Sequence, residues 1–189
     1  MSDLPIRIFG DPVLRRKASP VKEPTPELVA LAQDMLAAMY AADGVGLAAE
    51  QVGRDVSLCV IDVPPDSQGR DAPLNAGVKM PMIMFNPVVS APEGTQRGNE
   101  GCLSFPGISA QVTRARTVTV DWMGPDGKHY SARVHGLLAR AVQHETEHLN
   151  GEVFIDRLSP AQTLLVKGKL SRLKKKGAAA AKAAEAEQR

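Results

Sequence analysis

The segment QHETEH at residues 143–148 contains the pattern His-Glu-x-x-His and decides how the sequence is interpreted. It lies in residues 137–149, a stretch without proline or glycine that predicts a helix. Histidines four residues apart share one helix face, so His144 and His148 can bind one metal ion. Glu145 would lie beside the water that completes the coordination. The alternative is a solvated helix face, but two of the four histidines in the chain stand at this spacing.

A catalytic site of this type needs a third protein ligand. Where some zinc peptidases place a third histidine after this motif, the chain has Phe154, which cannot bind a metal. Asp156 remains possible as a downstream ligand. Cys102 is the stronger candidate, because it lies in the polar, glycine-containing segment EGCLS at residues 100–104. Cys59 lies among apolar residues and is expected to be a buried core residue.

A third segment, GVGLAAEQ at residues 44–51, is rich in small residues. Glycines such as Gly46 allow a backbone to approach a substrate closely. Gln51 can supply a side-chain N–H donor. The pattern alone is weak evidence, because glycines also end helices and form tight turns.

The remaining sequence predicts an α+β fold, because helices and strands do not alternate regularly. Thr25 can cap a helix that ends at Asp43-Gly44. A C-terminal helix is predicted from Pro160 to about Lys176, and the Ala-rich residues after it are expected to be frayed because they bury little.

Four stretches have the composition of β-strands, and the last two are joined by a turn at residues 124–127. Pro87 lies inside the second stretch, which predicts that this strand is at a sheet edge. The four stretches are residues 56–63, 82–89, 117–122 and 129–134.

Composition and charge exclude several classes of protein. The 189 residues are 43% hydrophobic and 23% charged, as in ordinary globular proteins. No apolar run approaches the ~18 residues of a membrane span, and no secretory leader is visible. Two cysteines cannot form a disulfide framework, so we expect a reducing, cytoplasmic location. We expect a catalytic domain at residues 1–166 and a basic tail at 167–189.

The three motifs together resemble the peptide deformylase family. The family patterns are G-φ-G-φ-A-A-x-Q, E-G-C-φ-S and Q-H-E-φ-D-H, where φ is hydrophobic. Their order and spacing match over about residues 5–172. Thr146 replaces a hydrophobic residue and Glu147 replaces the aspartate before the second histidine. Neither residue is a ligand, so these departures bear on how the site is oriented.

The resemblance implies an α+β fold in which small antiparallel β-sheets pack around a central metal-binding helix, with N-terminal and C-terminal helices. It implies Fe²⁺ bound by Cys102, His144 and His148, although Zn²⁺, Ni²⁺ and Co²⁺ accept the same donors. The substrate would be the N-formyl group of methionine at the start of new polypeptides. No membrane or DNA partner is expected.

The resemblance also implies catalytic roles. The metal would lower the pKa of its water and polarise the formyl carbonyl. Glu145 would act as general base and then protonate the leaving amine. The Leu103 backbone N–H and the Gln51 side chain would stabilise the oxyanion.

A methionine pocket is expected beside the metal. Leu137, Ala141 and the two histidines step by three or four residues and share a helix face. By resemblance, Val45 lies opposite this face. Backbone groups near Val45 and Gly101 would bind the peptide like an added strand. Also by resemblance, Arg114 is expected to form an ion pair with Glu147.

Three other hypotheses compete with this interpretation. An endopeptidase would use Asp156 as third ligand and would not need Cys102. A ribosome-associated binding protein with a decayed site is disfavoured by the intact Glu145 and Gln51. Serine hydrolysis is unsupported because no G-x-S-x-G element occurs.

The basic tail allows two interpretations. Residues 161–189 carry a net charge of +6 and the remaining residues −4. The tail is either a solubilising terminus or a segment that docks to ribosomal RNA near the emerging nascent chain. The sequence does not decide the native metal, the oligomeric state or the peptide preference beyond methionine.

Overall fold

The computed structural model describes residues 4–187. The first three residues of the expected catalytic domain and the last two of the basic tail lie outside this range. The described residues form three α-helices, two antiparallel sheets and several short 3-10 segments. The elements are α1 Pro26–Ala41, β1 Gly46–Ala48, β2 Leu58–Ile61, β3 Met82–Glu93, β4 Gln96–Gly101, β5 Ser109–Arg114, β6 Thr117–Met123, β7 His129–His135, α2 Gly136–Leu149 and α3 Pro160–Glu187.

The larger sheet has five strands in the order β1-β2-β3-β6-β7, and each neighbouring pair is antiparallel. Helix α2 packs against one face of this sheet, and α1 packs against the other. The four residues of β2 are fully buried between these layers. The predicted α+β fold with antiparallel sheets around a central helix is therefore confirmed.

The prediction that the strand containing Pro87 lies at a sheet edge is wrong. Strand β3 is the middle strand of the five. The pairing with β6 shifts register between Phe85 and Val88, and Asn86 has a positive φ of 49°. This irregularity absorbs the proline, which cannot donate a hydrogen bond to a regular ladder.

Strands β4 and β5 form a separate two-stranded sheet. The loop between them begins with Cys102 and contains Phe105, which packs edge-to-face against Phe154 and stacks on Phe9. Leu173 of α3 belongs to the same buried cluster. This hydrophobic cluster fixes the loop that carries the candidate thiol ligand.

Helix α3 continues to Glu187 and does not end near Lys176 as the sequence analysis expected. It passes without a break through the boundary expected between residues 166 and 167. Alanine has the highest helix propensity, and Leu173 and Ala181 are buried, so the segment has tertiary contacts to support it.

Two glycines of α3 provide a matched test of this packing. A Cβ at Gly177 would lie 2.3 Å from the carbonyl oxygen of Phe9, whereas a Cβ at Gly168 would meet nothing within 4 Å. Replacing an exposed helical glycine with alanine stabilises by about 0.5–1 kcal/mol. We expect Gly168→Ala to raise the free energy of unfolding by about this amount and Gly177→Ala to lower it, as measured by urea denaturation. Equal stabilisation by both variants would show that α3 does not pack on the N-terminal segment.

Candidate metal centre and active site

Three side chains that could hold a metal ion, Cys102, His144 and His148, join the end of β4 to α2 and are named the metal cluster. Cys102 follows the last residue of β4, and His144 and His148 stand on one face of α2. The ligand atoms of the three residues lie within 4.8 Å of one another. The Sγ of Cys102 is 3.2 Å from Nε2 of His148. The fold thus brings together three residues that are separated by up to 46 positions.

The donor set fits a divalent transition metal. The Nδ1–H of His144 donates to Oε1 of Glu100 at 2.7 Å, which leaves Nε2 to bind a metal. Burial lowers the pKa of His148 well below its ordinary value, so its imidazole is neutral, as a metal ligand requires. One thiolate and two imidazoles leave a tetrahedral ion with one open position, the arrangement of a catalytic site.

The electrostatics around His144 also favour a positive charge. Burial alone would lower the pKa of His144, but its hydrogen bonds to Cys102 and Glu100 outweigh this effect and raise it. A divalent cation bound between the thiolate and the two imidazoles would supply this positive charge.

Glu100 connects this cluster to two buried arginines. Its carboxylate accepts hydrogen bonds from Nε of Arg114 at 2.7 Å and from Nη1 of Arg140 at 2.8 Å. Burial opposes ionisation, but the bonds from Arg114 and His144 hold the pKa of Glu100 well below its usual range. Glu100 is therefore a buried carboxylate whose charge is compensated on three sides.

Glu147 occupies the position at which the chain departs from the family pattern. Its Oε1 accepts a hydrogen bond from Nη1 of Arg114 at 2.7 Å, so the predicted ion pair is confirmed. The same oxygen accepts from Nε of Arg157 at 2.6 Å. The glutamate side chain thus links α2 both to β5 and to the 3-10 segment Phe154–Arg157.

Glu145 points away from this ion network. It is buried and lines a cavity of about 830 Å³, and its Oε2 has no hydrogen-bond partner among the described side chains. A Cβ at Gly46 would lie 2.3 Å from Oε1 of Glu145. The glycine at position 46 therefore makes room for the carboxylate. Burial raises the pKa of Glu145 to about 7.

Gln51 is held in one orientation beside the thiol. Its Oε1 accepts a hydrogen bond from the backbone N–H of Ala48 at 2.8 Å. The opposite end of the amide, Nε2, lies 3.1 Å from Oγ of Ser104 and 3.4 Å from Sγ of Cys102. The amide donor is thereby directed toward the metal cluster.

The cavity of about 830 Å³ lies over the metal cluster. Its lining comes from β1 and the segment before it, from β4 and the loop after it, and from the side of α2 that carries Ala141 and Glu145. His148 is fully buried and is not part of the lining. The other site residues expected from the sequence all line the cavity: Val45, Gly46, Gln51, Gly101, Cys102, Leu103, Leu137, Ala141, His144 and Glu145.

Asp156, the alternative third ligand, lies in a different environment. Its Oδ1 accepts a hydrogen bond from Nη2 of Arg15 at 2.9 Å, and its Oδ2 accepts from the N–H of Val153 at 3.0 Å. It does not belong to the metal cluster found among the described residues. The geometry therefore gives no support to the endopeptidase hypothesis.

Three residues that support the site were not predicted from the sequence. Glu100 stands within the cysteine motif, whereas Arg140 and Arg157 belong to no recognised motif. Arg140 stands four residues before His144, on the same helix face, which is the signal that could have identified it. Its partners lie on β4 and β5, far away in the sequence.

Comparison with known proteins decides the family. The model of the polypeptide deformylase family matches residues 3–163. The chain belongs to this family. It is 42% identical over 174 residues to a peptide deformylase of Acinetobacter baumannii, a match covering 92% of this chain and 93% of the relative. It is 38% identical over 177 residues to that of Endomicrobium trichonymphae, covering 94% and 99%.

Solved deformylase structures share the fold. The crystal structure of peptide deformylase from Thermus thermophilus has a TM-score of 0.79 and 37% identity, covering 92% of this chain and 98% of that one. The structure from Legionella pneumophila has a TM-score of 0.77 and 37% identity, covering 90% and 94%.

Membership of this family settles the reaction class. The chain is a metal-dependent hydrolase that removes the formyl group from the N-terminal formylmethionine of new polypeptides. Its ligand cluster and the adjoining Glu145 are consistent with this reaction. Across residues 4–187, no helix is both long enough and apolar enough to cross a membrane.

Glu50 is a buried carboxyl group next to the site in sequence. Its side chain is almost fully buried, and neither of its oxygens has a hydrogen-bond partner in the described part of the chain. Burial raises the pKa of Glu50 to about 8 and outweighs the opposing effect of its own backbone N–H, and the charges of Asp55 and Glu145 also raise it. The folded protein therefore holds a proton on Glu50 at neutral pH.

This proton makes the stability depend on pH. An unfolded chain has Glu50 ionised above a pH of about 4.3, the ordinary carboxyl pKa, whereas the folded protein keeps it protonated up to a pH of about 8. Between these pH values the stability therefore falls as the pH rises. We expect the melting temperature of Glu50→Gln relative to the unsubstituted protein to increase from pH 5 to pH 8. The underlying difference in free energy is on the order of a few kcal/mol. A relative melting temperature that stays constant with pH would show that Glu50 is ionised in the folded protein.

Proposed function

We propose that Cys102, His144 and His148 hold an Fe²⁺ ion at which this chain deformylates nascent peptides, with Glu145 as the general base. The observation that carries this proposal is the buried carboxylate of Glu145. It lies in the same cavity as the ligand cluster and keeps one oxygen without a hydrogen-bond partner among the described residues. A carboxylate that is not engaged in the ion network is available to take a proton from water.

Two strand edges border the path proposed for the peptide. β1 is the edge strand of the five-stranded sheet, and Gly46 is its first residue. Gly101 is the last residue of β4, in the two-stranded sheet. Both glycines line the cavity. An extended peptide between these edges would pair through backbone hydrogen bonds near Val45 and Gly101.

The methionine side chain is proposed to lie against α2. Leu137 and Ala141 line the cavity one helical turn apart, and Val45 lies on the β1 side of the same cavity. All three contribute to the core between α2 and the sheet. An unbranched apolar side chain fits this surface because it buries area without leaving a polar group unpaired.

The chemistry then follows from the placement of the polar groups. When bound, the metal supplies Lewis acidity and lowers the pKa of a water molecule. Glu145 would accept a proton from a water molecule as the water oxygen attacks the formyl carbon, and would deliver that proton to the leaving amine when the C–N bond breaks. The Gln51 amide and the Leu103 backbone N–H donate to the oxyanion, each worth about 2.7–4 kcal/mol. The products are formate and a free amino terminus.

Iron is proposed as the native metal on the basis of the family resemblance and the donor set. Thiolate and imidazole donors also accept Zn²⁺, Ni²⁺ and Co²⁺. Anaerobic purification followed by metal analysis should find iron as the main metal, and activity should be lost in air faster for the iron form than for the nickel form. Equal resistance of the two forms to oxygen would contradict the assignment of iron.

Catalysis and metal binding should be separable by substitution at Glu145. We expect Glu145→Gln to keep near-stoichiometric metal and to lose about 10²–10⁴-fold in kcat, the usual contribution of a general base. The matched control is Glu152→Gln, at an exposed position three residues beyond α2. It should keep both the bound metal and the kcat of the unsubstituted protein. If Glu145→Gln is folded but lacks metal, then Glu145 is a ligand and its assignment as base is wrong.

The basic tail is proposed to dock to ribosomal RNA in the cytoplasm, where formylated chains emerge. Its cations crowd one stretch of α3, and phosphate contacts of this kind depend steeply on salt. Three of these cations line neither the cavity over the metal cluster nor a smaller cavity beside it: Lys167, Lys174 and Lys175. The two thiols, which no disulfide joins, fit a reducing compartment.

Ribosome docking is best tested by removing charge, not by deleting the tail. A deletion from residue 167 would remove Leu173, which packs in the cluster that contains Phe105. We expect Lys167→Gln/Lys174→Gln/Lys175→Gln to weaken ribosome co-sedimentation at low salt while turnover of a short formyl-Met peptide stays the same. Unchanged co-sedimentation would reject docking through these lysines.

A further inference from the structure

A second cavity, of about 230 Å³, lies beside the active site. The loop after Cys102 separates it from the large cavity, because Pro106 and Ile108 line both. Helix α3 forms the opposite side of the second cavity. An extended peptide leaving the metal site over this loop would therefore reach the second cavity next.

The α3 side of this cavity is strongly basic. Lys169, Arg172 and Lys176 line it at helical spacing, so the three side chains share one face. They are exposed, and no carboxylate among the side chains that the structure describes forms an ion pair with any of them. Lys169 is directed toward the shared loop, since its Nζ lies 3.4 Å from the carbonyl oxygen of Gly107.

The floor of the cavity is apolar and fixed. Leu173 and Ile108 are buried in the cluster that joins α3 to the loop. A side chain entering the cavity would contact this apolar floor with its methylene groups and present its end to the three cations. Glutamate and aspartate have this combination of a short apolar stem and a negative end.

We propose that this second cavity is a subsite for an acidic side chain of the formylated peptide, downstream of the methionine. The proposal rests on the proposed peptide path through the active site. It predicts a preference among substrates that the methionine pocket cannot provide. RNA phosphates are the competing ligand for the same cations. The peptide is favoured because the cavity opens beside the catalytic cavity and shares a wall with it.

The substrate preference can be measured with formylated pentapeptides that carry glutamate, glutamine or lysine at position three, four or five. We expect kcat/KM at low salt to be about fivefold higher for glutamate than for glutamine at one of these positions, and lower still for lysine. Since the cations are exposed, the preference should shrink toward unity at about 0.5 M salt. Equal kcat/KM for glutamate, glutamine and lysine at all three positions would overturn the proposal.

Two triple variants with the same change in net charge locate the effect. Lys169→Gln/Arg172→Gln/Lys176→Gln should reduce the glutamate-to-glutamine ratio to about one. The control, Lys167→Gln/Lys174→Gln/Lys175→Gln, changes cations outside the cavity and should keep the ratio. If both variants reduce it equally, the preference comes from the overall field and the subsite is wrong.

The remaining outcomes separate this proposal from its competitor and from the proposed function. If the first variant weakens ribosome co-sedimentation and leaves the ratio unchanged, the cations bind RNA phosphates and the subsite proposal fails. If the unsubstituted, metal-loaded protein does not release formate from the glutamine peptide, the proposed function itself has failed. The glutamine peptide thus reports the basic reaction, and the ratio reports the subsite.

Discussion

The buried carboxylate of Glu100 is the interaction on which the site depends. It accepts hydrogen bonds from Arg114 of β5, from Arg140 of α2 and from the candidate ligand His144. Because Glu100 stands two residues before Cys102, these bonds set the position of the thiol relative to the imidazoles. Removing one partner from such a buried network leaves an uncompensated charge and typically costs about 3–5 kcal/mol. A polar network therefore joins the two elements that carry the candidate ligands, the end of β4 and helix α2.

The same network explains why the chain tolerates glutamate at position 147. The carboxylate of Glu147 reaches Arg114, as the family resemblance predicted, and also Arg157 beyond the end of α2. Arg114 thus lies between two carboxylates that belong to different elements. With these ionic groups on one side of α2, Glu145 is left on the cavity side, where the absence of a side chain at Gly46 gives it space. A structural ion network and a carboxylate outside that network, the proposed general base, can then exist on one helix.

The parts that sequence reasoning could predict are those with local signals. The His-Glu-x-x-His spacing identified α2, and the polar surroundings of Cys102 distinguished it from the buried Cys59. The roles of Gly46 and Gln51 came from the family resemblance together with their residue types. The placement of Cys102 beside the histidines depends on the hydrogen bonds that Glu100 accepts from Arg114, Arg140 and His144, which no local pattern encodes.

The parts that could not be predicted depend on contacts between distant residues. Proline in β3 suggested an edge strand, but an irregularity at Asn86 admits it to the middle of the sheet. The Ala-rich end of α3 had no visible partner in the sequence, yet Gly177 packs on the backbone of Phe9. Arg140 stands one helical turn before His144, but its partner Glu100 lies 40 positions away, so their contact could not be predicted.

The metal affinity of Glu100→Gln tests whether the hydrogen bonds of Glu100 position the candidate metal ligands. The substitution keeps the shape of the side chain and removes the charge that orients His144 and balances the two arginines. The account predicts a folded protein with metal affinity weakened about 10–100-fold, as measured by competition with a chelator. Arg140→Gln, which removes one arginine and leaves Glu100 in place, should weaken it less, and the exposed Glu152→Gln should not change it. Unchanged metal affinity in folded Glu100→Gln would contradict the account.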